Sequence, residues 1–188
     1  MALIPFKDIL INARQESHRM RHYFLGVEHI FIALLEIKSG LASSILSDYG
    51  YSAEYVIDAV RRRAGKGSRH RLWAGVPNSP RLELVISLAQ EIAREQGRGT
   101  IQERDLLVAI LEEGDNIPSH VLSLLGLDLA ELRDAAISKK AIRASTQSFV
   151  RIDMGKDFHQ ELAPDKLFIL RKMFYGYSRI RVETQLTG

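Results

Sequence analysis

The sequence predicts an all-α fold, two tandem four-helix repeats forming a pseudo-twofold bundle, followed by a short α/β C-terminal tail. Three observations carry this. Residues 9–56 reappear without a gap as residues 85–132, an offset of 76 that superposes Ala13, Ala33, Leu35, Glu36, Leu46 and Gly50 on Ala89, Ala109, Leu111, Glu112, Leu122 and Gly126. Between those identities apolar character is kept, Leu10 answering Ile86, Leu25 Ile101, Ile30 Leu106 and Ile45 Val121. Within each copy the apolar residues recur at steps of three and four, the spacing that lines one face of a helix.

The first helix carries Phe6, Ile9, Leu10, Ala13, Ser17 and Met20, and its counterpart Leu82, Val85, Ile86, Ala89 and Ala93. The second is built on Val27, Ile30, Phe31, Leu34 and Leu35, matched by Leu106, Leu107, Ile110 and Leu111. Thr100 and Glu103 have the spacing of a reciprocal cap, so the second helix of the later copy is expected to start near Ile101. A short third helix packs through Leu41, Ile45, Leu46 and Tyr49, or through Ile117, Val121, Leu122 and Leu125, and Pro118 suits its first turn because the missing donor is not needed there. Gly50 and Gly126 stand where a left-handed residue stops that helix, and Ser52 and Asp128 are good N-caps for a fourth. The expected boundaries are repeat one 4–64, a Gly-rich linker 65–79 containing Trp73, repeat two 80–141, and a tail 142–188.

In the tail, Phe149–Ile152 alternates as a strand, Leu162–Tyr175 reads as a helix after Pro164, and Ser178–Thr187 alternates again. Two strands and a helix bury too little to fold alone, so the tail is expected to begin a further α/β domain or to pair with another chain.

Composition narrows the function classes. With 46% hydrophobic residues in 188 the chain can bury a sizeable core. A net charge of +3 is too small to imply a nucleic-acid or anionic-membrane partner. The sequence has no cysteine, which excludes disulfides and thiolate metal sites and fits a reducing cytoplasm. No apolar run nears the ~20 residues that span a bilayer, so the expectation is a cytoplasmic protein with no membrane partner.

The stretch Arg21, His22, Tyr23, Phe24, Leu25, Gly26, Val27, Glu28, His29, Ile30 and Phe31, with its weaker echo in Gly97, Arg98, Gly99, Thr100, Ile101, Gln102, Glu103, Arg104, Asp105 and Leu106, resembles the Clp amino-terminal repeat domain. That double repeat heads the Clp family of AAA+ unfoldases. The resemblance covers about Ile4 to Lys140 and implies a non-catalytic docking module for protein substrates or adaptors, with an AAA+ unfoldase as a partner in trans or on a longer chain. Some members recognise phosphorylated arginine through the glutamate of each Glu-His pair. The resemblance therefore points to Glu28 and His29, and at the matching positions of the second copy to Arg104 and Asp105, where the opposite charge argues against a symmetric pair of guanidinium sites. The residues themselves also admit a plainer role: Glu28 as a first-turn carboxylate at a helix N-terminus, and His29 as a partly buried ring bonded to backbone.

Other chemistries are absent or weak. No Gly-x-x-x-x-Gly-Lys-Ser/Thr loop is present to cradle ATP phosphates, and no Gly-x-Ser-x-Gly marks a nucleophile, so no enzyme activity and no cofactor are expected. His18 and His22 have the i, i+4 spacing of a zinc pair, but no glutamate follows His18 and no third ligand is placed, so no metal is expected. Arg61, Arg62, Arg63, Lys66, Arg69, His70 and Arg71 form a basic run beside Trp73 that could grip phosphates and stack a base. The same run lies at a helix C-terminus, where positive charge meets the helix dipole and stays solvated. The leading reading is a protein-recognition module binding a substrate segment or adaptor in the groove between repeats and on exposed helix ends. The alternatives are a regulatory interaction domain of a larger signalling protein, and a nucleic-acid-associated domain acting through the basic run.

Overall fold

The computed structural model describes residues 5–67 and 76–138 in full, and the backbone of residues 150–153, 159–162 and 182–184. The first two stretches hold eight helices: α1 (Phe6–Met20), α2 (Val27–Leu35), α3 (Leu41–Asp48), α4 (Ala53–Ala64), α5 (Pro80–Glu95), α6 (Glu103–Glu113), α7 (Ile117–Leu124) and α8 (Leu129–Ser138). The offset of 76 carries the starts of α2, α3 and α4 onto those of α6, α7 and α8. The all-α double repeat is therefore the fold.

Local chemistry sets most ends where the sequence puts them. Ser52 Oγ accepts from the Tyr55 amide at 3.3 Å, and the Asp128 carboxylate accepts from the amides of Ala130 and Glu131 at 2.7 and 3.2 Å. Gly50 and Gly126 take φ of 80° and 79°, the left-handed stop expected of them. One helix start is corrected. Instead of opening near Ile101 on a Thr100–Glu103 cap, α6 opens at Glu103 with Gln102 as N-cap, and the Gln102 amide donates to Asp105 at 2.8 Å. The Glu103 carboxylate is engaged elsewhere, accepting from the Ala42 amide of α3 at 3.1 Å.

The interior is centred on α2 and α6. All nine residues of α2 are buried, as are Asp105 to Leu111 of α6, the pattern of helices wrapped on every side. These two helices touch, α3 packs on α6 and α8, and α7 packs on α2 and α4, which joins the repeats across their pseudo-twofold relation. The cavity at this seam, lined by Phe31, Ala42, Leu46, Leu107, Leu111 and Leu122 among others, measures about 10 Å³. It has no room for a side chain, so the groove expected between the repeats is closed at this point. Tyr51 Oη also crosses the seam, donating to the Leu125 carbonyl at 2.6 Å.

Both described ends of the linker are held against repeat one. The Leu25 amide donates to the Pro77 carbonyl and the Ser79 amide to the Leu25 carbonyl, each at 2.8 Å. The Gly67 amide donates to Met20 at 2.9 Å, and a Cβ at Gly67 would collide with the Arg21 carbonyl oxygen.

The tail forms an antiparallel sheet of β1 (Val150–Asp153), β2 (His159–Leu162) and β3 (Val182–Thr184) in the order β2-β1-β3. Val150 pairs with Leu162 on one side and Thr184 on the other. β1 overlaps the expected strand Phe149–Ile152 and runs one residue past it, and β3 falls within the expected Ser178–Thr187. β2 is a correction, a third strand ending at the residue where a helix was expected to begin. Its sequence His-Gln-Glu-Leu has no apolar alternation to mark it, and its pairing with β1 is made through the backbone. The rest of the expected helix lies outside the described residues.

Candidate functional site

The two copies of the loop before the second helix use one frame with different chemistry. In both, the residue at the third helical position is fully buried and accepts a hydrogen bond from the N-cap amide. In the first copy His29 Nδ1 accepts from the Gly26 N–H at 2.8 Å. A neutral ring whose Nδ1 accepts must carry its proton on Nε2. His29 Nε2 therefore donates to His22 Nδ1, 2.9 Å away, and His22 keeps an Nε2–H to donate to the Gly65 carbonyl at 3.2 Å. The relay ties α2 through the preceding loop to the end of α4. Burial and the adjacent His22 push the His29 pKa down to about 4, so the ring is neutral at physiological pH.

Glu28 lies beside this relay, its Oε1 3.5 Å from His29 Nδ1 and 3.8 Å from His22 Nδ1. Burial raises its pKa, and its own amide and His22 oppose that shift. Its carboxylate occupies the space a Cβ at residue 26 would need, so a side chain there would require Glu28 to move. Phe24 roofs the cluster, stacking on His22 at a ring separation of 5.6 Å and meeting His29 edge-on at 6.2 Å.

His22, Glu28 and His29 converge closely enough to suggest a metal. The donor set does not fit one. With Nδ1 of His29 accepting from Gly26, a metal on Nε2 would require a ring stripped of both protons, and His22 spends its nitrogens on His29 and Gly65.

In the second copy the offset places Arg98 on His22 and Asp105 on His29. The histidine pair becomes a two-pronged ion pair, Arg98 Nη1 and Nη2 donating to Asp105 Oδ2 and Oδ1 at 2.6 and 2.7 Å. Arg104, at the position of Glu28, is half-buried. Gly99 and Thr100 stand where the first copy has Tyr23 and Phe24, and there a cavity of about 660 Å³ opens. Phe6, Ala93 and Ile101 give it an apolar lining, Lys7, Arg94 and Arg98 are its cations, and no carboxylate lines it.

The basic run does not gather into one site among the described residues. Arg61 is committed to the buried Glu16 at 2.6 Å, with Glu36 and Asp58 further out, and Arg19 also pairs with Glu16 and Glu36. Arg62 and Arg63 are exposed in the last turn of α4. Arg69 and Arg71 lie outside the described residues, as do His70 and Trp73. Sequence reading missed Glu16, Lys7, Arg94 and Arg98. The signal for Arg98 was present in the offset, where a His-to-Arg change at 22/98 accompanies a His-to-Asp change at 29/105.

Comparison with known proteins adds three findings. The family model described as "Clp repeat (R) N-terminal domain" matches residues 5–125 and 77–160. The chloroplastic chaperone protein ClpC of Pisum sativum is 31% identical over 129 residues, 69% of this chain and 14% of that protein. A Guillardia theta homolog of the Clp protease ATP-binding subunit ClpA is 30% identical over 69% of the chain and 16% of its own length. This chain thus spans about a seventh of the curated relatives it matches. Among solved structures, the Hsp104 N-terminal domain of Candida albicans superposes with a TM-score of 0.63 at 17% identity, covering 72% of this chain and 89% of that one. The N-terminal domain of Arabidopsis thaliana ClpD gives 0.53 at 20% identity, covering 69% and 88%. These two show a shared fold.

Proposed function

This chain belongs to the Clp repeat N-terminal domain family, and from that premise we propose that it is a docking module that receives a segment of a substrate or adaptor protein and performs no chemistry of its own. An AAA+ unfoldase then acts on the captured protein, in trans or on the same polypeptide. The division into repeat one (4–64), linker (65–79), repeat two (80–141) and tail (142–188) belongs to the same proposal, as does a cytoplasmic setting, which the absence of cysteine supports. Among the described residues no helix is long and apolar enough to cross a membrane.

The observation that carries the reading is the unequal treatment of one loop in two copies. Tyr23 and Phe24 stand over the first loop, while Gly99 and Thr100 leave the second open to a cavity of the size ligand sites have. Glu28, His29 and Asp105 act here as positioning residues that brace the loops from below. Arg104, at the head of α6, contributes positive charge near the open one. Burial of the Glu28 carboxylate gives a phosphoarginine guanidinium no direct approach in this conformation.

The test is binding of a permanently unfolded protein, reduced and carboxymethylated lactalbumin, measured by fluorescence anisotropy beside a single-stranded oligonucleotide. Saturable binding of the unfolded protein, little changed by replacing Arg61, Arg62 and Arg63 with Ala, is expected. Oligonucleotide binding that collapses with salt and with that triple substitution, with no binding of the unfolded protein, would overturn the docking reading in favour of the basic run.

A further inference from the structure

We propose that the cavity between the N-terminus of α1, the end of α5 and the loop before α6 takes an acidic, partly apolar segment of a partner protein. The inference rests on the docking reading above and gives it a ligand class. Three features of the cavity point to that class.

The first is charge. Among the described residues Lys7 and Arg94 have no ion pair, both are exposed, and no carboxylate lines the cavity. Arg98 is neutralised by Asp105 and forms a fixed wall. Two uncompensated cations on one rim favour a segment bearing two or more carboxylates and repel a basic one.

The second is the lining. Phe6, Ala93 and Ile101 present an apolar surface beneath the rim, which rewards burial of a leucine-sized side chain and offers a nucleic-acid backbone nothing. The third is why the space exists. At the matching positions the first copy carries the larger side chains of His22, Tyr23 and Phe24, with Phe24 stacked on His22. The second copy puts Arg98, Gly99 and Thr100 there, with Arg98 drawn away onto Asp105. A Cβ at Gly99 would meet nothing within 4 Å, and its backbone is outside the left-handed region, so the glycine is not required for folding at this position. Emptiness there is a property of the side chains, and it can be reversed.

The probe is a fluorescein-labelled ten-residue peptide of alternating glutamate and leucine, with a glutamine-leucine peptide, a lysine-leucine peptide and a single-stranded oligonucleotide of matched length as comparisons. Anisotropy titrations on the whole chain should give saturable binding of the glutamate peptide, about tenfold weaker binding of the glutamine peptide, and no binding of the lysine peptide. Lys7→Glu with Arg94→Glu should weaken the glutamate peptide by a further factor of about ten or more. Gly99→Tyr with Thr100→Phe, which transplants the first copy's residues, should abolish binding while circular dichroism and melting stay those of the parent. Equal binding of the three peptides, binding unaffected by either double substitution, or tighter binding of the oligonucleotide would each overturn the proposal. If carboxymethylated lactalbumin binds and the glutamate peptide does not, only this inference fails. If neither binds, the docking reading fails with it.

Discussion

His29 and Asp105 occupy one position of the repeat and perform one local task, accepting from the N-cap amide of the helix they begin. A histidine does this only while neutral, which makes the cap of the first copy pH-dependent. His29 ionises at about 4 in the fold against an ordinary 6.5. Between those values the unfolded chain binds the extra proton, so acidification through that window costs stability, by up to ~3 kcal/mol. Glu28 works in the opposite direction: its raised pKa lets the fold hold a proton above the usual 4.5. Denaturant melts at pH 7 and pH 5 should show the parent losing stability on acidification. His29→Asn, whose amide oxygen can still accept from Gly26, should lose distinctly less. An identical loss in both would mean that His29 is not the titrating group. The relay to Gly65 was not legible in the residue pattern, because it depends on where α4 ends relative to the loop before α2.

The helices themselves were largely legible. Starts at Val27, Leu41 and Ala53, repeated at Glu103, Ile117 and Leu129, follow from apolar spacing and capping residues that act within one turn of chain. The exception was α6, and its cause lies in another element. α3 opens on Gly40, which has no side chain to cap it, and Glu103 reaches across from α6 to accept from Ala42 instead. Its counterpart α7 carries its own cap, Asn116 accepting from Ser119 at 2.9 Å, and has Pro118 where α3 has Ala42. One repeat thus lends the other a cap. Glu103→Ala leaves the α3 amide without its partner and should destabilise the chain by about 1–2 kcal/mol. Asn116→Ala should cost a similar amount through α7 alone. Chemical denaturation of both variants checks this, and a loss at Asn116 only would show that the inter-repeat cap contributes nothing. The copies differ elsewhere too, the Glu16–Arg61 pair of the first corresponding to Ile92 and Ile137 in the second.

At the scale of the molecule, α2 and α6 are buried on every side, and neither repeat can cover its own central helix. Residues 5–67 produced alone should therefore show no cooperative thermal transition by circular dichroism, while in the full chain α1 to α8 should melt in one step. A cooperative melt of the isolated repeat would show that the seam adds contact without being required. The central seam between α2, α3, α6 and α7 is closed, and the open space between the repeats lies at their periphery, where Phe6 and Lys7 of repeat one face Ala93, Arg94 and Gly99 to Gln102 of repeat two.

The duplication, the order of the eight helices in residues 5–138 and the family were determined by the sequence alone, because periodicity, capping and motif spacing are local properties that survive without knowledge of neighbours. The difference between the two copies was also written there, as Tyr23-Phe24 against Gly99-Thr100 and Glu28-His29 against Arg104-Asp105. Only the tertiary structure decided what that difference does. Whether a side chain fills a space or leaves it open depends on residues brought from α1, α4 and α5, and a loop's own sequence carries no information about them.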